Sequence, residues 1–70
     1  MKYVIKCANN GKYVKSLSHS KCTYTFTTDV TKAKKYAIIS MVFAAIDDLV
    51  YYASLNGEQL IFTYDIYNGE

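Results

Sequence analysis

The period of the hydrophobic pattern changes twice along this chain, and that limits the fold more than any other feature. Residues 2–8 (KYVIKCA) alternate, with Tyr3, Ile5 and Cys7 on one side and Val4, Lys6 and Ala8 on the other. Residues 22–27 (CTYTFT) alternate as well: Cys22, Tyr24 and Phe26 share one face and three threonines line the other. From Met41 to Ser54 the apolar residues recur at helical spacing, and over residues 59–67 (QLIFTYDIY) alternation returns. A period of two belongs to a half-buried strand and a period of 3.6 to an amphipathic helix.

The punctuation between these runs supplies the connections. Asn9-Asn10-Gly11 separates KYVIKCA from KYVKSL, and Asn-Gly between two β-rich runs is a strong hairpin signal. With Asn10-Gly11 as a two-residue turn, Asn9 faces Lys12 and Cys7 faces Val14. Tyr3, Ile5, Cys7 and Val14 then form an apolar face, and Lys6, Tyr13, Lys15 and Leu17 lie opposite. Ser18-His19-Ser20-Lys21 reads as a polar connector. Thr28 and Asp29 can cap one or two helical turns over Val30 to Lys35, with Val30 and Ala33 inward. Ser40 is a second candidate cap; one unbroken helix from Asp29 to Ser54 is the alternative.

In the main helix Val42, Ile46, Leu49 and Ala53 line one stripe, and Asp47, Asp48 and Tyr51 lie roughly opposite. Met41, Ala45 and Tyr52 widen the apolar arc on one flank, Phe43 and Val50 on the other, to about 200°, where a single sheet contact needs roughly 100°. Asn56-Gly57 stops the helix. In the last strand Leu60, Phe62, Tyr64 and Ile66 point inward and Ile61, Thr63, Asp65 and Tyr67 outward. The expected fold is a single α+β domain over residues 1–70. It is a small two-layer structure in which one main helix packs on one face of an antiparallel sheet of about four strands (β-β-β-α-β). The first three strands form a meander, the helix returns the last strand beside the first, and Tyr24, Phe26, Ile46, Leu49, Leu60 and Phe62 share one core.

Charge divides the chain in two. All eight lysines precede residue 37 beside a single acid, Asp29, a sum of +7; Asp47, Asp48, Glu58, Asp65 and Glu70 follow with no base, a sum of −5. Such a dipole steers partners, a second copy of the chain included. Arginine and proline do not occur. Met1 opens directly into Lys-Tyr-Val-Ile-Lys without the apolar stretch of a signal peptide, so a cytoplasmic protein is expected, with Cys7 and Cys22 as buried thiols. No run approaches the roughly 20 apolar residues of a membrane span.

The chemistry-bearing residues do not assemble into a catalytic set in the sequence. His19 is the sole histidine, in a serine-rich connector whose neighbouring side chains diverge. Asp47 and Asp48 are adjacent on a helix and point about 100° apart, which is not the facing geometry of an acid–base pair. One histidine and two cysteines fall short of the four ligands of a closed zinc site. Gly11 and Gly57 are accounted for by a turn and a helix stop, leaving no glycine-rich phosphate loop. The chain is expected not to be an enzyme and to use no cofactor or metal.

The segment Tyr24-Thr25-Phe26-Thr27-Thr28-Asp29-Val30-Thr31-Lys32-Ala33-Lys34-Lys35-Tyr36 is similar to one found in many short proteins of phages and prophages of low-G+C Gram-positive bacteria. In that group a hairpin of the form Tyr-Val-Ile-Lys…Asn-Gly-Lys-Tyr-Val-Lys leads into it. The similarity covers about residues 2–36. The group usually continues into a helix rich in Lys and Glu, whereas here the helix is strongly apolar. The resemblance implies a phage context, in which small proteins without catalytic residues commonly occupy a host protein, defence nucleases and replication factors among them.

Two functions follow as expectations. The first is a non-enzymatic phage-encoded accessory protein that binds a host bacterial protein and inhibits or redirects it, in host takeover or anti-defence. Its contacts are expected at Met41, Tyr51 and Tyr52 on the helix and Ile61 and Tyr67 on the last strand, because exposed apolar and tyrosine surface marks interfaces. The wide apolar arc also leads us to expect a homodimer. The second is a single-stranded nucleic-acid-binding module in which Lys6, Lys12, Tyr13 and Lys15 supply charge and stacking. The lack of arginine, with its bidentate phosphate contacts, weighs against the second. No membrane partner is expected.

Overall fold

The computed structural model describes residues 1–68. Strands β1 (Lys2–Cys7), β2 (Tyr13–Ser18) and β3 (Thr23–Thr27) are followed by a short 3₁₀ helix (Val30–Lys32), the helix α1 (Ile39–Leu55) and the strand β4 (Phe62–Tyr67). The four strands form one antiparallel sheet in the order β3-β2-β1-β4, and α1 packs on one face of it. The expected α+β two-layer architecture and the return of β4 to β1 are therefore present.

The core lies between that face and α1. Ile5, Cys7, Val14, Tyr36, Val42, Ala45, Leu49 and Phe62 form the buried cluster, and Tyr3, Leu17, Tyr24, Phe26, Ile39, Ile46 and Leu60 pack around it. Strand alternation explains the sheet's contribution. The stripe at 3.6 spacing explains the helix's.

Three local features depart from the sequence expectation, each for a physical reason. The first hairpin turns over four residues, not two: Cys7 N–H donates to Lys12 C=O at 2.8 Å and Gly11 N–H to Cys7 C=O at 2.9 Å. Both asparagines use their side chains on backbone donors instead of sitting in a tight turn. Asn10 Oδ1 accepts from Lys12 N–H at 2.8 Å, and Asn9 Oδ1 accepts from Ile61 N–H at 2.7 Å, tying the loop to β4. The left-handed conformation falls on Gly11, at φ 70°. Lys6 thus pairs with Tyr13, two residues away from the expected register. An even shift preserves the faces, so Val14 still points into the core.

The second feature is a bulge in β2. Val14 pairs with Phe26 and Ser16 with Thr25, which leaves Lys15 as the extra residue. The bulge resets the alternation, and Leu17, expected on the outer face with Tyr13, joins the core opposite Tyr24. Cys22, expected in β3 and buried, instead sits in the preceding turn at φ 53° and is half-buried. Cys7 is buried, and both thiols are free.

The third is a fork in the sheet. Tyr3 and Tyr36 exchange both backbone hydrogen bonds, at 2.8 and 2.9 Å, and Lys34 N–H donates to Val14 C=O at 3.0 Å. The segment leading to α1 is thus inserted between β1 and β2 where the bulged β2 bends away. The chain crosses the outer face after β3 and passes through the fork to the helix side. That crossing accounts for the burial of Val4 and Ala33, which stand outside the main cluster. Alternation places Val4 on the outer face, where it lies, but does not show that this face is covered there.

Asp29 caps the 3₁₀ helix through its side chain, as expected. Ser40 does not cap α1; the cap position is Ile38, without a side-chain hydrogen bond, and the two helices are separate. Gly57, at φ 76°, closes α1 in a Schellman arrangement, with Glu58 N–H donating to Ala53 C=O at 2.9 Å and Gly57 N–H to Ser54 C=O at 3.0 Å. No helix among the described residues is long and apolar enough to cross a membrane.

Candidate functional site

The sheet covers less of α1 than its apolar content demands. Val42, Ala45, Leu49, Tyr52 and Ala53 are buried, which uses the stripe and one flank. The helix still shows a row of apolar side chains to solvent. Met41, Ala44, Tyr51 and Leu55 follow one another at spacings of three, seven and four residues, with Asp48 at the intervening position. Residues three and four apart lie above one another on a helix, so these five share one outward line. Met41, Tyr51 and Leu55 are each more than half exposed, at 54%, 58% and 56%. The helix has no acid in its first turn, no base in its last and no side-chain hydrogen bond at its N-cap; apart from the Gly57 closure, packing holds it.

Beside the N-terminal half of this row lies a cleft of about 330 Å³, lined by Leu17, Tyr36, Met41 and Ala45 with His19, Lys34 and Asp48 among its polar walls. The turn between β2 and β3 brings His19 over the helix, where its Nδ1 lies 3.1 Å from the Tyr52 hydroxyl and 3.5 Å from Asp48 Oδ2. Burial, with the Asp48 carboxylate nearby, pushes the phenols of Tyr52 and Tyr36 above the ordinary tyrosine range. The Tyr36 hydroxyl is buried with no hydrogen-bond partner among the described residues. Ser18 and Ser20, which flank His19, turn their hydroxyls toward each other at 3.4 Å, and Cys22 Sγ donates to the His19 carbonyl at 3.7 Å, not to the imidazole. The cluster therefore positions a loop against a helix. Among the described residues no three His, Cys, Asp or Glu side chains converge as a metal site.

The residues expected to bind a protein do not form one surface. Met41 and Tyr51 stand in the outward row. Tyr52 does not: it is buried, with its hydroxyl on His19, because the wide arc wraps onto the β2–β3 side of the sheet. Ile61 and Tyr67 lie on the far side of the sheet. Ile61 is exposed; Tyr67 is half-buried beneath the Lys35 ammonium, 4.7 Å from the ring centroid. Leu55 and Ala44 complete the row and were not singled out from the sequence, although the spacing from Met41 to Leu55 is legible there.

β4 carries a second apolar set. Tyr64 and Ile66 point to the helix side as expected, but Tyr64 is 41% and Ile66 50% exposed, since α1 leaves this edge strand partly uncovered. Phe43, also exposed, stacks edge-on against Tyr64 at 5.7 Å, and Tyr3 does so from the other side at 6.0 Å.

The basic hairpin is differently disposed. Lys12 and Lys15 are exposed, while Lys6 Nζ lies 5.9 Å from the Tyr13 ring centroid. Lys35 Nζ donates to the carbonyls of Val30, Thr31 and Ala33 at 3.5, 2.6 and 2.9 Å. A base stacking on Tyr13 would first displace the lysine above it.

Compared with protein-family models, curated proteins and solved structures, the chain matches none significantly.

Proposed function

We propose that this chain is a non-enzymatic accessory protein of phage type that binds a host bacterial protein through the outward row of α1 and inhibits or redirects it. The observation that carries the reading is the row itself: Met41, Ala44, Tyr51 and Leu55 on one line of a helix whose adjoining face is already buried. Scattered apolar residues are normal on a surface. Apolar side chains aligned on both sides of Asp48, beside a concave cleft, make the arrangement of an interface. Leu17, Met41 and Ala45 give the cleft apolar walls for an inserted side chain, and His19, Lys34 and Asp48 give it polar ones. The phage context rests on the resemblance of residues 2–36, and the action inside the host cell follows from it.

The test is affinity capture from a Gram-positive host lysate with nuclease, at low and high salt, using the native chain and two double variants. Tyr51→Ala with Leu55→Ala should lose the partner, by at least about 2 kcal/mol of binding, with an unchanged circular dichroism spectrum. Lys12→Gln with Lys15→Gln should retain it at high salt, because rim charges act mainly on the rate of encounter. Binding lost with the lysines, kept with the apolar variants and abolished by nuclease would replace this reading with nucleic-acid binding, whose affinity falls steeply with salt.

A further inference from the structure

We infer that the β4 edge is the site at which a second copy of this chain docks, strand to strand, to give a continuous eight-stranded sheet. The inference stands apart from the host-protein reading, whose surface is the row of α1 beside the cleft lined by Leu17 and Tyr36.

Among the described residues no segment covers this edge. β4 pairs with β1 in unbroken register from Lys2 opposite Tyr67 to Cys7 opposite Phe62. Ala8 N–H donates to Ile61 C=O, which fixes the alternation: the odd-numbered residues of β4 bond to β1, and the N–H and C=O groups of Phe62, Tyr64 and Ile66 point away from the sheet. Proteins commonly blunt such an edge with lysine, proline, a bulge or a covering segment. β4 contains no lysine, proline or glycine, its ladder has no bulge, and its one charge is Asp65. The other edge, β3, is five residues long and lies against the β2 bulge.

The strand is also complementary to itself. In an antiparallel pairing centred on Tyr64, Tyr64 meets its own copy and Phe62 meets Ile66 on the helix side. On the outer side Thr63 meets Asp65 and Ile61 meets Tyr67. No acid faces an acid. Each Asp65 enters the same cross-sheet row as Lys6 of the other copy, because Lys6 is the β1 neighbour of Thr63; the basic first half of one chain thereby meets the acidic second half of the other. Phe43, already against Tyr64, would stand near the two-fold axis facing its copy, which covers the uncovered Tyr64 and Ile66. A one-residue slip would send these apolar groups to the outer face, and re-centring on Asp65 would oppose two carboxylates.

Sedimentation equilibrium of the native chain at tens of micromolar should give about twice the 8.0 kDa of one chain. Tyr64→Pro should give the mass of one chain: proline removes an N–H that faces solvent in the single chain, so the β1–β4 ladder survives and the circular dichroism spectrum should not change. A second pair of variants reads the register without depending on that fold. In a Cys22→Ser background, Tyr64→Cys should form an intermolecular disulfide under mild oxidation, because opposed Cα atoms of a hydrogen-bonded pair lie about 5.5 Å apart. Ile66→Cys, which would face Phe62 of the second copy, should not. A native chain that sediments as a monomer overturns the inference and leaves the edge to a strand of another protein. So does a dimer that cross-links at residue 66 and not at 64, or one that Tyr64→Pro leaves intact while Tyr51→Ala dissociates it.

Discussion

Phe62 stands where the sheet's aromatic residues converge. Its ring stacks on Phe26 at 6.4 Å and meets Tyr24 edge-on at 6.3 Å, within the cluster that Leu49 and Val42 close from the helix side. Truncation there removes ring contacts and leaves a cavity that flanking strands cannot collapse into. Phe62→Ala should cost about 3–5 kcal/mol in denaturant unfolding, comparable with the whole stability of a domain this small; unchanged melting would refute the core assignment. Asp29 gives a pH-dependent counterpart. Thr31 N–H and Oγ both donate to its carboxylate, at 3.0 and 2.6 Å, and these bonds hold the group below its ordinary value of 3.8. A carboxylate depressed by folding contributes stability above its unfolded value, and the contribution is lost as pH falls through the folded value. The Tm of the native chain should therefore exceed that of Asp29→Ala at neutral pH, and the gap should close in strong acid. A gap that widened in acid would reverse the sign of this account.

At the scale of elements, α1 owes its end to one residue. Gly57 carries the left-handed turn of the Schellman closure, with open space where a side chain would go. Gly57→Ala should cost about 1–2 kcal/mol from backbone strain alone, measurable by thermal melting, with no effect on the core. Asn56-Gly57 was legible as a stop, as were the helix stripe through Val42, Leu49 and Ala53 and the inward set of β4, because each depends on local periodicity and turn chemistry. The bulge at Lys15 was not. Nothing in KYVKSL distinguishes a regular strand from one whose alternation resets between Val14 and Ser16; the neighbouring segment that enters the fork decides it. The burial of Val4 on the outer face was not legible for the same reason, since its cover comes from residues far along the chain. The candidate surface was legible in part. Helical spacing separates Tyr51 from the buried stripe, but which flank of a wide apolar arc meets the sheet is a matter of tertiary contact, and it went to Tyr52 and Ala45 rather than to Phe43 and Val50.

For the whole molecule, the crossing segment joins what the strand order alone would separate. The first half of β1 has no strand neighbour on its β2 side; Tyr36 occupies the hydrogen bonds of Tyr3. The N-terminal hairpin, the most local unit in the sequence, therefore cannot be completed by local contacts, and its far end waits for a segment that must first cross the sheet. The rate-limiting step of folding is therefore expected at a non-local closure rather than at the hairpin turn, since closure entropy is lost before such contacts form. It also defines a cooperative unit. The amides of Tyr3 and Tyr36 should exchange with deuterium only through global unfolding, whereas the amide of Lys12, bonded to Asn10 in an exposed loop, should exchange through local opening. Early exchange at Tyr3 and Tyr36, ahead of Leu49 in the core, would show that the fork opens by itself.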